Sequence, residues 1–379
     1  MPPTETSRAV VVERAGAAPV LMELPLPQLD RGTALVAVSA ATLCGTDVHL
    51  WRGELSDGVE FPYVLGHESA GTILRMGGPR HDVTGTPVVE GDRVIWTYDF
   101  CGRCYSCCVA DQPNLCADAV RYGRSSAARA PYLLGGCAEY QFVPAGASLI
   151  RVPEEVSFPL AASASCALRT VMHAFELLNR LKPFESVLVQ GCGPVGLYSV
   201  AVARALGAGT ILIAGAPKQR LAFAGRLGAD SSYAIDDAST GMTQADWVAN
   251  STEGRGVDVV LQCATVSALP DAFSCVRRGG RIVSIGGGKA VAEISGDLLS
   301  KGVTLFSVRS AVARHYYQAL RFLQSRQGTV LQEMFSRSYP LTEAGVALQR
   351  LEDLQDIKPL ILPQPAEGEL HPSSPGRES

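Results

Sequence analysis

Residues 8–42 alternate short apolar runs, such as Ala9 to Val12 and Ala34 to Val38, with glycine and proline punctuation. That is the pattern of short strands in a β-rich domain. Further strands are expected over residues 71–76, 93–97 and 138–143, with turns such as Glu90-Gly91-Asp92 between them. From Ser157 the pattern turns helical, and residues 161–178 are rich in helix formers. Beyond that, strand and helix alternate strictly. Residues 187–190, 210–213, 257–261, 281–285 and 303–308 read as strands, while 195–206 and 219–227 read as helices stopped by Gly207 and Gly228. Strands separated by helices of this length form a parallel sheet with helices on both faces, an α/β arrangement. Residues 311–355 return to helix, and 364–379 are a polar, proline-containing tail expected to be disordered. No internal repeat is visible.

Length and charge narrow the function classes. A chain of 379 residues is too long for one core, so two domains are expected. The net charge of −4 gives no basic footprint for nucleic acid or an anionic membrane. No apolar run reaches spanning length, and the N-terminus lacks the layout of a secretory signal, so a soluble cytoplasmic protein is expected.

Directly after the 187–190 strand comes Gly191-Cys192-Gly193-Pro194-Val195-Gly196, which opens a helix. The first glycine allows a tight turn, the second lets backbone approach a pyrophosphate, and the third lets helix and sheet pack closely. The helix N-terminus then offers free N–H groups to the phosphates. This context predicts dinucleotide binding. At the end of the next strand, where an acid would hold the ribose 2′-hydroxyl of NAD, stands Gly215, followed by Lys218 and Arg220. That combination tolerates a 2′-phosphate and leans slightly to NADP. The alternative, two solvated basic residues and NAD held by backbone, stays open.

Five of the eleven cysteines fall within residues 101–116. Without an export signal, such crowding indicates metal rather than disulfides. Cys101, Cys104 and Cys107 at CxxCxxC spacing, with Cys116 returning after a short loop, can close a four-thiolate structural site. Earlier in the chain, Cys44-Gly45-Thr46-Asp47-Val48-His49 is followed by Gly66-His67-Glu68. Cys44 and His67 supply two legs of a zinc site whose open corner is available for chemistry. The third ligand is one of Cys137, Cys166 or Glu68. Cys137 reads as an ordinary buried thiol, and Cys166 lies at the helix joining the two parts of the chain. Trp51, Trp96 and Tyr98 either line a pocket near these motifs or simply pack. His81, His173, His315 and His371 have no ligand-like company and are expected to be structural or solvent-exposed.

The order of these motifs (Cys-Gly-Thr-Asp-x-His, Gly-His-Glu, a cysteine lobe, Cys-x-x-x-Thr and GxGxxG) closely resembles the zinc-dependent alcohol dehydrogenases. These belong to the medium-chain dehydrogenase/reductase superfamily. The resemblance covers about residues 8–360. It implies a GroES-like catalytic domain over 1–160 with a structural zinc lobe near 98–120, and a Rossmann NAD(P)-binding domain over 161–309. Residues 310–363 would return to the catalytic domain. Cys44, His67 and Cys166 then resemble the catalytic zinc ligands, giving two zinc ions per chain with the lobe. Thr46 resembles the hydroxyl that bonds substrate oxygen, and His49 the outer end of a proton relay. Asp47 resembles the carboxylate that orients His67, and Glu68 the carboxylate beside the metal.

The family further implies a small-molecule alcohol or carbonyl substrate and assembly as a homodimer or homotetramer. Cys107 to Cys116 is one residue longer than the family's usual spacing. Either Cys107, which keeps CxxCxxC, or Cys108, which restores the later gap, is therefore the third lobe ligand. Two rival functions remain at this stage. A zinc-free reductase of enones or quinones would not need Cys44, His67 and Cys166. A non-catalytic nucleotide-binding protein would have no use for Thr46 and His49.

Overall fold

The computed structural model describes residues 6–55, 58–237, 239, 241–287, 293–325 and 328–364. His371 and all of the expected tail beyond Gln364 lie outside the described residues.

Continuous apolar strands that are buried on both faces build the nucleotide half. Val187–Gln190 and Ile211–Gly215 are buried along their whole length. Six strands pair in the order Ser231–Ala234, Ile211–Gly215, Val187–Gln190, Val257–Gln262, Val276–Ser284, Thr304–Ser307. Every pairing is parallel. The chain therefore reverses direction of growth beside Val187–Gln190, and in such sheets ligands bind outside the carboxyl ends at that point. The helix Pro194–Ala205 starts there. Ser231–Ala234 escapes the sequence pattern because it is an edge strand with two exposed serines. The helices Gln244–Ser251 and Leu269–Cys275 leave no clear pattern in the sequence, each being only about two turns long.

The other half is antiparallel at its core. Ala34–Thr42 pairs with Glu68–Met76, with Tyr140–Val143 and with Leu360–Leu362. Leu360–Leu362 pairs in turn with Ser338–Pro340. Strands from beyond residue 330 thus complete a sheet begun before residue 45. Thr6–Val12 forms a smaller sheet with Val20–Pro25 and Tyr63–Val64. Between the halves runs the helical stretch expected over 161–178, observed as Phe158–Ser163, a π-turn at Ala164–Leu168, and Arg169–Leu177. Among the described residues, no helix is long and apolar enough to cross a membrane.

Helix Arg169–Leu177 packs on Ala313–Leu323 through ionisable groups. His173 and His315 stack at 4.7 Å, Arg314 bonds Glu176 at 2.6 Å, and His315 Nε2 lies 3.1 Å from Glu176. Burial and the neighbouring His173 push His315 down to about 4. Hydrogen bonding to Arg314 brings Glu176 down to about 2. Between pH 6.5 and 4 the unfolded chain takes up a proton that folded His315 refuses, so stability falls with pH across that window. Glu176 extends the loss below 4.5 in the same direction. His315→Gln is expected to flatten the fall in melting temperature between pH 6.5 and 4, read by thermal unfolding at stepped pH. An unchanged slope would refute the assignment.

Candidate active site

Three local structures deliver the first donors. Cys44 caps the helix Gly45–Trp51, and Asp47, in its first turn, accepts the Cys44 N–H at 2.9 Å. The other Asp47 oxygen accepts from His67 Nδ1, also at 2.9 Å, which leaves His67 Nε2 facing Cys44 Sγ at 3.5 Å. One buried carboxylate therefore sets both the helix start and the imidazole's orientation. His67 and Glu68 follow Gly66, whose φ of +87° turns the chain into the strand. Cys166 projects from the π-turn, the widened helical geometry that recurs at functional sites.

Ligand atoms of Cys44, His67, Glu68 and Cys166 all lie within 4.8 Å of one another. Zinc bonds of about 2.3 Å to sulfur and about 2.1 Å to nitrogen give tetrahedral edges of about 3.6–3.8 Å, so the cluster is of the right size. Its electrostatics also suit a cation. A hydrogen bond from the Cys166 thiol holds Cys44 well below the usual thiol range against the opposing effect of burial, with His67 helping, while Cys166 is pushed up in return. Burial works against a charged His67, but Asp47 and Cys44 outweigh it and raise its pKa. Burial lifts Glu68 to about 7 against the pull of Lys358. Its Oε1 is buried and has no hydrogen-bond partner among the described residues. A carboxylate oxygen left bare beside two thiols and an imidazole fits a metal ion.

Lys358 escaped sequence reasoning altogether. It is fully buried and ion-paired with Glu68, which Thr42 Oγ1 also bonds. In the sequence it sits just before an apolar strand and carries no motif, so only the structure exposes its role. Arg169, likewise unread, is buried between the rings of Tyr98 and Tyr316, with its guanidinium 5.4 and 4.9 Å from their centroids. It donates to Ser165 O and to Ser310 Oγ. Trp51, Trp96 and Tyr98 are all buried, and Trp51 Nε1 donates to Ala17 O at 2.7 Å. Thr46 Oγ1 makes no hydrogen bond among the described residues, and His49 Nδ1 meets Glu54 at 2.5 Å. Cys137 is the buried thiol expected, packed under Gly66.

In the lobe, the sulfurs of Cys101, Cys104, Cys107 and Cys116 lie within 4.8 Å of one another, with Cys104 to Cys107 at 3.5 Å. Cys108 is exposed and points its sulfur at Gly102 O, 2.9 Å away. The structure thus gathers Cys107, not Cys108, into the cluster.

The glycine loop has the geometry a pyrophosphate needs. A Cβ at Gly196 would strike Gly191 O at 1.8 Å, whereas one at Gly193 would meet nothing within 4 Å. That open backbone is the surface a dinucleotide would occupy. Gly215 has a packing reason of its own, since a Cβ there would lie 2.7 Å from Cys192 Sγ. Lys218 pairs with Asp237 at 2.9 Å. Arg220 Nη2 donates to Leu354 O and Asp356 O at 2.9 and 2.7 Å.

Comparison with known proteins places this geometry. Residues 30–154 match the model of the alcohol dehydrogenase GroES-like domain, and residues 194–325 that of the zinc-binding dehydrogenases. The 5-exo-hydroxycamphor dehydrogenase of Pseudomonas putida is 32% identical, over 89% of this chain and 94% of its own. The chain belongs to the zinc-dependent alcohol dehydrogenases. The L-threonine 3-dehydrogenase of Symbiobacterium thermophilum is 29% identical over 95% of this chain and 98% of its own. The solved alcohol dehydrogenase of Thermotoga maritima superposes with a TM-score of 0.88 at 28% identity, covering 95% of this chain and all of that one. Membership makes the protein an NAD(P)-dependent oxidoreductase that transfers hydride between an alcohol and the nicotinamide cofactor. The zinc-free reductase and the non-catalytic protein are thereby set aside.

Two outcomes follow from this geometry. Cys107→Ser is expected to lower zinc content by one ion per chain, measured by metal analysis after gel filtration, while Cys108→Ser leaves it unchanged. The reverse pattern would move the ligand to Cys108. Lys358→Met leaves Glu68 buried without its cation, at a cost of about 3–5 kcal/mol if the carboxylate stays charged. A loss below about 1 kcal/mol in denaturant titration would show that Glu68 is neutral there.

Proposed function

We propose that the protein oxidises a secondary alcohol, polyol or hydroxylated metabolite at a catalytic zinc held by Cys44, His67 and Cys166, with a second, structural zinc in the cysteine lobe. The convergence of those three donors, with a bare Glu68 oxygen beside them, carries the reading. Relatives named for 5-exo-hydroxycamphor and L-threonine support the substrate class.

Zinc bound there would supply a Lewis acid, which can lower the pKa of bound water to about 7, roughly 12 kcal/mol of differential stabilisation. A positioned general base alone gives about 10²–10⁴ in rate, or about 3–5 kcal/mol, so the side chains need only conduct the proton. Thr46, with its hydroxyl uncommitted, takes a hydrogen bond from the substrate. His49, about one third exposed and steadied by Glu54, passes the proton to water. Asp47 keeps His67 in the tautomer that presents Nε2. Gly191, Gly193, Pro194, Val195 and Gly196 receive the pyrophosphate at the helix N-terminus.

For the cofactor we propose binding that accepts NADP as well as NAD. No side chain fits at Gly215 to repel a 2′-phosphate, and Lys218 and Arg220 follow it, the first paired with Asp237 and the second bonded to two carbonyls. A homodimer or homotetramer is supported by the outer edge of Thr304–Ser307, which pairs with no further strand among the described residues and where Leu305 is exposed. Cytoplasmic location agrees with the many free thiols.

His67→Ala is expected to abolish turnover. His49→Ala should slow it by no more than about 10²-fold, chiefly at lower pH, where little hydroxide is present to take the proton directly. A screen of alcohols and carbonyls against NAD and NADP, read at the reduced nicotinamide absorbance, checks both variants. Full alcohol oxidation by zinc-depleted protein would overturn the reading.

A further inference from the structure

The strands of the nucleotide sheet have a second end, and it carries a cleft. Val257–Gln262 spans six residues, about 20 Å, so its amino end lies that far from the glycine-loop edge of the sheet. There a cavity of about 470 Å³ opens between the helices Gln244–Ser251 and Leu269–Cys275, the turn at 254–256, the start of Val276–Ser284 and Lys301. That volume suits a small organic molecule. Gly256 lets the turn close onto the strand, since a Cβ there would lie 2.6 Å from Cys275 O. Ala245, Val248 and Ala249 share one face of their helix and, with Val276, give the cavity an apolar floor.

The charged lining is of one sign. Arg255, Arg277, Arg278 and Lys301 border the cavity and no carboxylate does, in a chain whose net charge is −4. Partners account for part of that charge. Arg277 Nε donates to Asp258 at 2.7 Å, and Arg255 Nη1 to Glu253 at 2.7 Å, the second an exposed pair that solvent screens. Lys301 Nζ donates to the carbonyls of Phe273, Ser274 and Val276 at 2.7, 3.2 and 2.7 Å, and these are neutral. It thereby covers the carbonyl end of Leu269–Cys275. At the end of the other helix the carbonyls are also taken, Val248 O by Thr252 Oγ1 and Ala249 O by the N–H groups of Thr252 and Gly254. Four cations against two carboxylates, both outside the lining, leave an excess of two positive charges above an apolar floor. Cleft walls of low dielectric focus such a field inward.

We propose that this cleft binds a small organic anion, its carboxylate or phosphate held by Arg255 and Arg278 and its apolar body lying on the helix face of Ala245 and Ala249. Arginine suits the task because its planar fork pairs with two oxygens of either group. Arg277 and Lys301 set the sign of the field and are fixed by Asp258 and by the three carbonyls. The cleft lies at the opposite end of the sheet from the glycine loop, and its ligand is independent of the reaction assigned to the metal cluster.

Calorimetric titration of the zinc-loaded enzyme tests this, with benzoate and phenyl phosphate as probes and acetate and inorganic phosphate as their bare headgroups. NADH is kept saturating throughout, so that the glycine loop is already filled. Binding of benzoate alone identifies a carboxylate ligand, of phenyl phosphate alone a phosphate, and of both a site that reads charge. Whichever probe binds should do so about 10-fold more tightly than its bare headgroup, which has no apolar body to lay on the floor.

Arg255→Gln/Arg278→Gln should weaken that binding about 10-fold or more, and Arg255→Lys/Arg278→Lys should recover part of it. Arg277 and Lys301 are left intact because their bonds hold the cleft together, and an unchanged melting temperature reports an intact fold in each variant. Failure of both probes to bind the NADH-filled enzyme overturns the proposal. So does binding that the glutamine variant leaves unchanged, or that the bare headgroup matches.

Discussion

Two cysteine sulfurs, an imidazole and a carboxylate are held within 4.8 Å of one another, and the architecture around them follows from the cost of doing so. Two thiolates at that distance repel by about 3–4 kcal/mol at an effective dielectric constant of about 20. Around them lie Asp47 and Glu68, balanced in sign by Lys358 and Arg169, all buried. A divalent cation among the donors would offset that repulsion, and a donor set of sulfur and imidazole suits zinc.

The counter-charges also explain why the polypeptide returns to its first sheet. Lys358 lies two residues before the strand Leu360–Leu362, which pairs with Ala34–Thr42, and that pairing places it against Glu68. The turn before it is gripped from the nucleotide half, where Arg220 bonds the carbonyls of residues 354 and 356. Asp356 is itself buried and paired with Arg350 and Tyr339. The short segment 354–358 therefore ties the helix after the cofactor-side strand, through Arg220, to Glu68, through Lys358. Displacing either half would strand buried charges in the other.

What could be read without coordinates was what is local. Cys44 and Asp47 lie within one helical turn, the GxGxxG sits between a strand and a helix, and the cysteine lobe is a sixteen-residue loop, so each carries its chemistry in its own spacing. Alternation of buried strands with helices likewise exposed the parallel sheet. Lys358 and Arg169 could not be found this way, because their partners lie hundreds of residues away or on other elements. The bonds from Arg220 Nη2 to the carbonyls of residues 354 and 356 left no trace in the sequence either, since they join it to the other half of the chain. The helix expected over 161–178 was right in extent, yet its π-turn, which aims Cys166, leaves no periodic trace distinct from an α-helix. Ser231–Ala234 was missed because an exposed edge strand needs no apolar face.

The cysteine lobe is usually reasoned about as a staple for a loop too small to have its own core, and metal binding worth on the order of 10 kcal/mol is ample for that. Here its contacts give it a second consequence. Cys116 O accepts from Arg121 Nη2, and Asn114, two residues earlier, donates its Nδ2 N–H to the carbonyl of Arg309. The residue after Arg309, Ser310, bonds both Arg169 and His173. A metal that fixes Cys116 therefore fixes the path of two segments that approach the catalytic cluster from opposite halves. An ion held by the four cysteines would fix those anchors together, without touching Cys44, His67 or Cys166.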